Sequence, residues 1–523
     1  IRSLIAQAFA PRIAVFASSD ANQLARKLNF PSFFHLIRPF GELIAKPVVI
    51  RNSKGLSTTI DNFNVHFVLP PDEHSTSTTD AYSTNSPPDD ANNIDTLLRH
   101  SLVDSRNELR PSLGSLSNLF LHFFQKTLSA PPLSPHETFS HPTAGIVVIT
   151  SRTPSPIDTL SSLYRAGSAL NNGSLAAAQR ASPAIDREYL RFYVLIHHEG
   201  DDYDSSAALF EKMKRHFGLN CHFLSLSATD APSPDQPDAT KIPMPSWISP
   251  EEEVNFSKSE TYMRSRDIAA IQLMVREMVS QSFIPYLERT IATLNTQVAA
   301  SRKGITNRLF SASRKYFASS GLLRSNTPSP PTSTSSYDPE TGSYDYRAQE
   351  AQLRKLADLL FMTRDWNASY TIYDLIKRDY LNDKAWKYLA GANEFAAIAL
   401  LMAEPIGKPL SSRTVTEHID PVIDAACFSY TSRCAALSYT FRCLLMSSEL
   451  LRLQGVFGTD NACKWVQYII SKCHNNSVFC PGLMLERLAA AYGSYANAIQ
   501  ACARFGEHKR KFAFWTLIAA NEW

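Results

Sequence analysis

Five short apolar runs in the first 230 residues alternate with segments of helical periodicity, and this alternation limits the fold more than any other feature. Each run is rich in Val, Ile and Phe, which favours a β-strand, whereas the segments between the runs repeat apolar residues at helical spacing. Strands that alternate with helices predict a mainly parallel sheet covered by helices, so we expect an α/β domain. The predicted strands are residues 13–18, 65–69, 145–150, 192–197 and 221–226.

The pattern changes to helix after residue 260. A long connecting helix is predicted over 261–302, with a break or kink at Pro285, because proline cannot donate the helical hydrogen bond. After residue 345, helix pairs of similar length are joined by short turns such as 363–365, which predicts an α-solenoid of the tetratricopeptide kind. The predicted helices are 348–363, 366–380, 384–402, 435–453, 462–472 and 483–505.

Polar stretches rich in Pro, Ser, Thr and Asp separate these parts and predict disordered insertions or linkers. They are residues 70–93, 228–253 and 325–344. The predicted organisation is therefore an α/β domain over 1–260, the connecting helix over 261–302, a basic amphipathic helix and linker over 303–345, and a solenoid over 346–523. Because the residues up to Trp523 still have an apolar helical pattern, we expect the solenoid to be incomplete at its C-terminus.

Composition excludes several classes of protein. The 52 Lys and Arg residues nearly balance the 49 Asp and Glu residues, so a nucleic-acid binder is not expected. The longest apolar run, residues 395–403, is about half the length of a membrane-spanning helix. Eight cysteines without a CxxC pair are typical of reduced core residues, which indicates a cytoplasmic protein without a structural metal or other cofactor.

The sequence contains no motif that would build a catalytic site. No glycine occurs in residues 17–30, which follow the first predicted strand, and neither GxGxxG nor GxxxxGK[ST] occurs anywhere. A phosphate cradle needs such glycines because backbone N–H groups must approach the phosphate closely. GxSxG, the motif of a serine nucleophile, is also missing. We therefore expect no nucleotide binding and no enzymatic activity.

The one constellation that would support chemistry is HHEGDDYD, residues 197–204, at the end of the fourth predicted strand. Its imidazoles and carboxylates could bind a divalent metal, which leaves a GTPase-like or hydrolase domain fused to a repeat scaffold as the alternative function. We favour an acid-rich loop in which Asp204 or Ser205 caps the next helix. The reason is that His197 and His198 would point to opposite faces of a continuing strand.

Residues 289–337 contain no Asp or Glu, although the chain as a whole is balanced in charge. Within this window, residues 301–324 predict an amphipathic helix with an apolar strip and a basic flank, which is typical of a helix that binds an anionic membrane. A helix that docks onto the protein itself is the alternative. The predicted membrane-binding residues are Ile305, Leu309, Phe310, Tyr316 and Phe317 on the strip, with Arg308, Arg314 and Lys315 beside it.

Two blocks resemble a known family. They are residues 11–43, which open with PRIAVFASSDANQLARKLNF, and residues 361–402, FMTRDWNASYTIYDLIKRDYLNDKAWKYLAGANEFAAIALLM. Both are similar to blocks of the TRAPP III-specific large subunit, and the similarity extends with insertions over most of residues 10–523. The resemblance implies a GTPase-like α/β domain that has lost its nucleotide-binding residues, followed by an α-solenoid.

The resemblance also implies a role as a scaffold. A chain of this family would join the core TRAPP subunits, which carry the guanine-nucleotide exchange activity toward a Rab GTPase, and bring them to Golgi and pre-autophagosomal membranes. It would act in ER-Golgi traffic and autophagy without catalysing a reaction itself. The family further implies that a basic amphipathic helix ahead of the solenoid touches the bilayer, and residues 301–324 are the matching stretch.

Overall fold

The computed structural model describes most of the chain. The described residues are 1–44, 46–53, 55–70, 96–101, 115–129, 133–167, 184–227, 231–249, 252–253, 256, 261–298, 336–405, 410–473, 480–498 and 505–523. The strands are β1 Arg12–Ala17, β2 Val48–Arg51, β3 Ser57–Ile60, β4 His66–Val68, β5 Pro142–Thr150, β6 Leu190–His198, β7 Cys221–Leu226, β8 Ala239–Lys241, β9 Tyr262–Arg264, β10 Tyr337–Asp338 and β11 Ser343–Tyr344.

The helices fall into two groups, one around the sheet and one after residue 345. Around the sheet are α1 Arg2–Ala8, α2 Ser19–Lys27, α3 Phe33–Ile37, α4 Ser115–Ser129, α5 Pro156–Gly167, α6 Tyr203–Phe217 and α7 Ser265–Glu277. The second group comprises α8 Gln349–Met362, α9 Trp366–Asn382, α10 Trp386–Ala403, α11 Asp420–Phe428, α12 Leu437–Arg452, α13 Gly455–Cys473, α14 Cys480–Ala498 and α15 Phe505–Glu522.

All five predicted strands form one parallel sheet, in the order β4-β1-β5-β6-β7. The strands read as continuous apolar runs because helices cover both faces of the sheet. Along β5, Ile146 and Val148 pack on the face that α2 and α7 cover, whereas Val147 and Ile149 pack against α5 and α6. This sheet confirms the predicted α/β architecture.

Part of the predicted insertion at 228–253 differs from the disordered segment expected there. Strand β8 lies within it and pairs antiparallel with β9. Trp247 and Ile248 are fully buried, and the Glu42 carboxylate accepts hydrogen bonds from the backbone N–H groups of Ser246 (2.8 Å) and Trp247 (3.1 Å). A few apolar anchors therefore hold a polar segment whose average composition suggests disorder.

The end of the predicted linker at 325–344 also differs from expectation. Strands β10 and β11 pair as a hairpin, and Tyr344 is fully buried. Its hydroxyl donates to the Asp383 carboxylate at 2.8 Å, which joins the hairpin to the end of α9.

The long connecting helix continues through Pro285 instead of breaking there. A π-helical segment, Met278–Phe283, follows α7, and the chain then stays helical over 284–298. Proline has no N–H to donate, and the helix accommodates it with a wider π-helical turn directly before Pro285.

The second group of helices forms the predicted helical array, with each helix packed on the next in the chain. At the first turn, Arg364 adopts a left-handed conformation (φ 63°), and Asp365 caps α9 by accepting from the Ala368 N–H at 3.3 Å. Two details were not predicted. Helix α11 is new, and so is α15, whereas the helix predicted over 483–505 corresponds to α14.

A buried ion cluster connects the sheet to the helical array. Arg442 of α12 donates two hydrogen bonds to the Glu137 carboxylate (3.0 and 2.9 Å), and Glu137 lies in the segment that leads into β5. The same guanidinium donates to Glu394 of α10 (2.8 and 2.7 Å). The Tyr430 hydroxyl donates to Glu394 at 2.7 Å.

Two carboxylates on one guanidinium are not equally stabilised. Burial opposes ionisation of Glu137, but Arg442 outweighs burial and lowers the pKa of Glu137. Burial raises the pKa of Glu394, and Arg442 compensates for this only in part. The ionised form of Glu137 is therefore more strongly stabilised beside the buried cation than that of Glu394.

A second polar clamp and an aromatic cluster surround this ion cluster. The Asp358 carboxylate accepts from the Thr138 N–H at 2.6 Å and from Arg354 Nε at 2.8 Å. Phe139 packs with its ring centroid 4.5 Å from that of Phe395, and Phe9 and Phe361 complete the group. One continuous apolar core therefore runs from the sheet into the helical array.

Removal of Arg442 should destabilise the whole chain. We expect Arg442→Met to lower the free energy of unfolding by about 3 to 5 kcal/mol, because it leaves two buried carboxylates without a cation. Urea denaturation monitored by circular dichroism measures the change. Arg413→Met is the matched control, because this side chain is 82% exposed and pairs with Glu417 alone among the described residues, and it should change the free energy of unfolding by less than about 0.5 kcal/mol. Equal stability of the two variants would contradict the role of the cluster.

Acid should destabilise the fold through its buried histidines. Burial lowers the pKa of His141 from 6.5 to about 4, and the ring Nε2 lies 2.8 Å from the Ser134 carbonyl oxygen. Above pH 6.5 the His141 side chain is neutral in both the folded and the unfolded chain. Below it the unfolded chain takes up a proton that the folded chain does not, so stability falls as the pH falls toward 4, by about 3 kcal/mol from this residue.

The variant His141→Asn isolates this contribution. Its free energy of unfolding, measured by urea titration at several pH values between 7 and 4, should depend less steeply on pH than that of the wild type. Parallel pH profiles for the two proteins would show that His141 does not titrate as described.

Candidate functional site

The carboxyl ends of β1 and β5 mark the place where a doubly wound sheet usually binds a ligand, because the chain order of the strands reverses there. Only Ser18 separates β1 from α2. Its backbone N–H donates to the Val148 carbonyl at 2.9 Å, and its hydroxyl accepts from the Ala21 N–H at 3.2 Å, as expected for a helix cap. Asp20 in the first turn adds negative charge where an anion would approach. This connection leaves no loop that could surround a phosphate.

The neighbouring loop after β5 is tied to the loop after β6. Arg152 donates to the Asp201 carboxylate from Nε (2.9 Å) and Nη2 (2.7 Å), and the Ser151 hydroxyl donates to it at 2.6 Å. These hydrogen bonds, led by those from Arg152, lower the pKa of Asp201 to about 2. The carboxylate is therefore ionised and already satisfied by two side chains of its own chain.

The histidine–acid segment at 197–204 does not converge on one point. His197 faces α6, and its Nδ1 lies 3.0 Å from the hydroxyl of Ser206 in that helix. Its ring also stacks on Phe223 of the neighbouring strand β7. His198 faces the other side, toward Arg152 and Asp201, and burial lowers its pKa. The opposite directions of the two histidines are as predicted from the strand geometry.

The cap of α6 is Asp202, not Asp204 or Ser205 as expected. Its carboxylate accepts from the N–H groups of Asp204 (3.3 Å) and Ser205 (3.1 Å). The helix begins at Tyr203, at least two residues earlier than a cap at Asp204 or Ser205 implies, so the aspartate before it takes the cap position. Within the described ranges, no three His, Cys, Asp or Glu side chains are placed to hold a metal ion.

The predicted membrane-binding residues all lie outside the described residues. These are Ile305, Arg308, Leu309, Phe310, Arg314, Lys315, Tyr316 and Phe317. Among the helices that the structure does describe, none is long and apolar enough to span a bilayer.

Sequence reasoning missed the buried ion cluster of Glu137, Glu394 and Arg442. The three residues are far apart in the chain and belong to no motif. The only signal was a charged residue inside an apolar helical pattern, as at Glu394, which directly precedes the apolar run 395–403. A charge in that position indicates a buried partner but does not identify it.

Comparison with known proteins gives one consistent result. Residues 5–455 match the family TRAPPC-Trs85, described as the ER-Golgi trafficking TRAPP I complex 85 kDa subunit. The chain is 28% identical to the transport protein particle subunit trs85-2 of Schizosaccharomyces pombe, across 100% of this chain and 84% of that protein. It is 23% identical to the human trafficking protein particle complex subunit 8, across 100% of this chain and 39% of that protein.

A third relative is the trafficking protein particle complex III-specific subunit 85 of Saccharomyces cerevisiae, which is 23% identical over 83% of this chain and 66% of that protein. The family match covers the parallel sheet, the junction and most of the helical array in one stretch. The chain therefore belongs to the TRAPPC-Trs85 family of large TRAPP subunits that act in membrane trafficking.

Proposed function

We propose that this protein is a non-catalytic scaffold and membrane-recruitment subunit of a TRAPP III-type tethering complex. In this role it joins the core TRAPP subunits, which act as the guanine-nucleotide exchange factor for a Rab GTPase, and brings them to Golgi and pre-autophagosomal membranes in ER-Golgi traffic and autophagy. The observation that carries the proposal is the family match over residues 5–455.

The geometry of the sheet edge supports the non-catalytic part of the proposal. Ser18 uses its polar groups to cap α2, and Arg152 and Asp201 satisfy each other. A catalytic edge needs polar groups that remain available to a substrate. The α/β part serves instead as a folded platform that anchors the helical array through the buried cluster around Arg442.

Membrane recruitment is assigned to residues 301–324. An interfacial helix buries each large apolar side chain about halfway, so Ile305, Leu309, Phe310 and Phe317 together contribute roughly 3 to 6 kcal/mol. Nearby basic residues add up to about 1 kcal/mol each on an anionic surface, while ordering of the backbone offsets much of this sum. The segment alone therefore binds weakly, and its attachment to the assembly raises the avidity.

The α/β part should bind no nucleotide. Calorimetric titration of the protein with GTP, GDP and ATP in the presence of magnesium should give no saturable heat, because Ser18 is the only residue between β1 and α2. Saturable binding at micromolar concentration would contradict the non-catalytic assignment and favour the GTPase-like alternative.

Flotation with liposomes of Golgi-like composition tests the recruitment segment. We expect Leu309→Asp plus Phe310→Asp, and separately Arg314→Glu plus Lys315→Glu, to reduce the floated fraction severalfold, since each pair removes one component of interfacial binding. The matched control is Arg26→Glu plus Lys27→Glu, an adjacent exposed basic pair at the end of α2, which should float like the wild type. If both segment variants remain folded and float as well as the wild type, these residues dock onto protein and the membrane role is wrong.

A further inference from the structure

An exposed aromatic and cationic patch lies on the helical array, far in sequence from the predicted membrane segment. It consists of Trp386 at the start of α10, Phe428 at the end of α11 and Arg433, which follows in the π-helical turn. The Arg433 guanidinium carbon lies 3.7 Å from the centroid of the Trp386 ring and 5.3 Å from that of Phe428. Phe428 is 52% exposed. We call these three residues the Trp386 patch.

The hydrogen-bond donors of the Trp386 patch find no acceptor among the residues that the structure describes. Neither the Arg433 guanidinium nor the Trp386 indole N–H has a hydrogen-bond partner there, and Arg433 forms no ion pair with a described carboxylate. Lys384, exposed in the turn just before Trp386, likewise has no ion pair with a described residue. The one carboxylate in that turn, Asp383, accepts from the Tyr344 hydroxyl.

The same chain shows what such a cluster binds when its partner is internal. Lys464 lies 4.4 Å from the centroid of the Trp465 ring, which is also a cation over an indole. Both side chains donate to one carboxylate, that of Asp420, at 3.1 Å from Lys464 Nζ and 3.0 Å from Trp465 Nε1. The Trp386 patch has the same two kinds of donor and no such carboxylate among the described residues.

The chemistry of the patch defines the partner. Arg and Trp donate hydrogen bonds but do not accept them, and an arginine stacked on a ring keeps its N–H groups directed outward in its own plane. A carboxylate is the acceptor that fits them, while the half-exposed Phe428 ring offers apolar contact. Tryptophan and arginine are also the residues that most often dominate protein–protein interfaces.

We propose that the Trp386 patch is a docking site for an acidic peptide segment of a partner protein, which places one carboxylate on Arg433 and Trp386 Nε1 and an apolar side chain on Phe428. A membrane surface fits less well, because electrostatic binding to lipid takes clusters of about four to eight basic residues and this patch with its neighbour has far fewer. The surface is independent of the segment at 301–324 and of the role proposed for it.

The test uses the whole chain and a phage-displayed library of short random peptides. The selected peptides should combine Asp or Glu with an aromatic or aliphatic residue. A synthetic peptide of the selected sequence should bind at least about tenfold more weakly to Arg433→Glu, because the reversed charge repels its carboxylate. Phe428→Ser should also weaken binding, and both substitutions lie at exposed side chains, so thermal unfolding should remain unchanged.

The matched control is Arg215→Glu, another exposed arginine without an ion pair to a described residue, on α6 of the α/β part. It should alter the dissociation constant by less than about twofold. Selection of peptides without acidic residues would overturn the proposal, and so would equal binding by wild type and Arg433→Glu. If the wild type floats with anionic vesicles and the single substitution Arg433→Glu abolishes this flotation, the patch binds lipid instead.

Discussion

The guanidinium of Arg442, buried between Glu137 and Glu394, is the interaction on which the rest of the structure depends. A charge removed from water requires partners with nearly ideal geometry, and here the two partners come from opposite sides of the junction. Glu137 leads directly into the central strand β5, and Glu394 lies in the middle of α10. The sheet and the helical array are therefore fixed in one arrangement, since any displacement would leave a buried charge unpaired.

Apolar packing follows from that constraint. With residues 134–140 held by Arg442 and Asp358, Phe139 enters the ring cluster of Phe9 and Phe361 and closes the core between sheet and helices. The opposite end of the sheet is different in character, because Ser18 caps α2 and Arg152 pairs with Asp201 at the edge where related folds bind ligands. The same α/β architecture thus supplies a firm attachment at one end and a closed polar edge at the other.

Much of the fold could be predicted from local pattern. The five parallel strands and the helices from α8 to α10 follow from apolar periodicity, because the covered faces of a strand or helix repeat at a fixed spacing. Segment composition was less informative: Trp247 and Tyr344 are buried within stretches whose average composition suggests disorder. An average over 20 residues or more does not register one anchoring aromatic side chain. The cap of α6 at Asp202 was missed by two residues because several adjacent acidic and hydroxyl side chains could each take that position.

The sequence by itself determined the class of fold, the family, and the lack of a glycine-lined phosphate loop, because each of these is written in local spacing or in contiguous blocks. Only the tertiary structure decided which charges meet. Arg442 lies 305 residues after Glu137 and 48 residues after Glu394, and Trp386 and its stacked Arg433 lie in different helical segments. No local rule relates these positions. Pairing of charges and stacking on rings depend on distances of a few ångströms in space, which the chain acquires only when its separate elements have packed together.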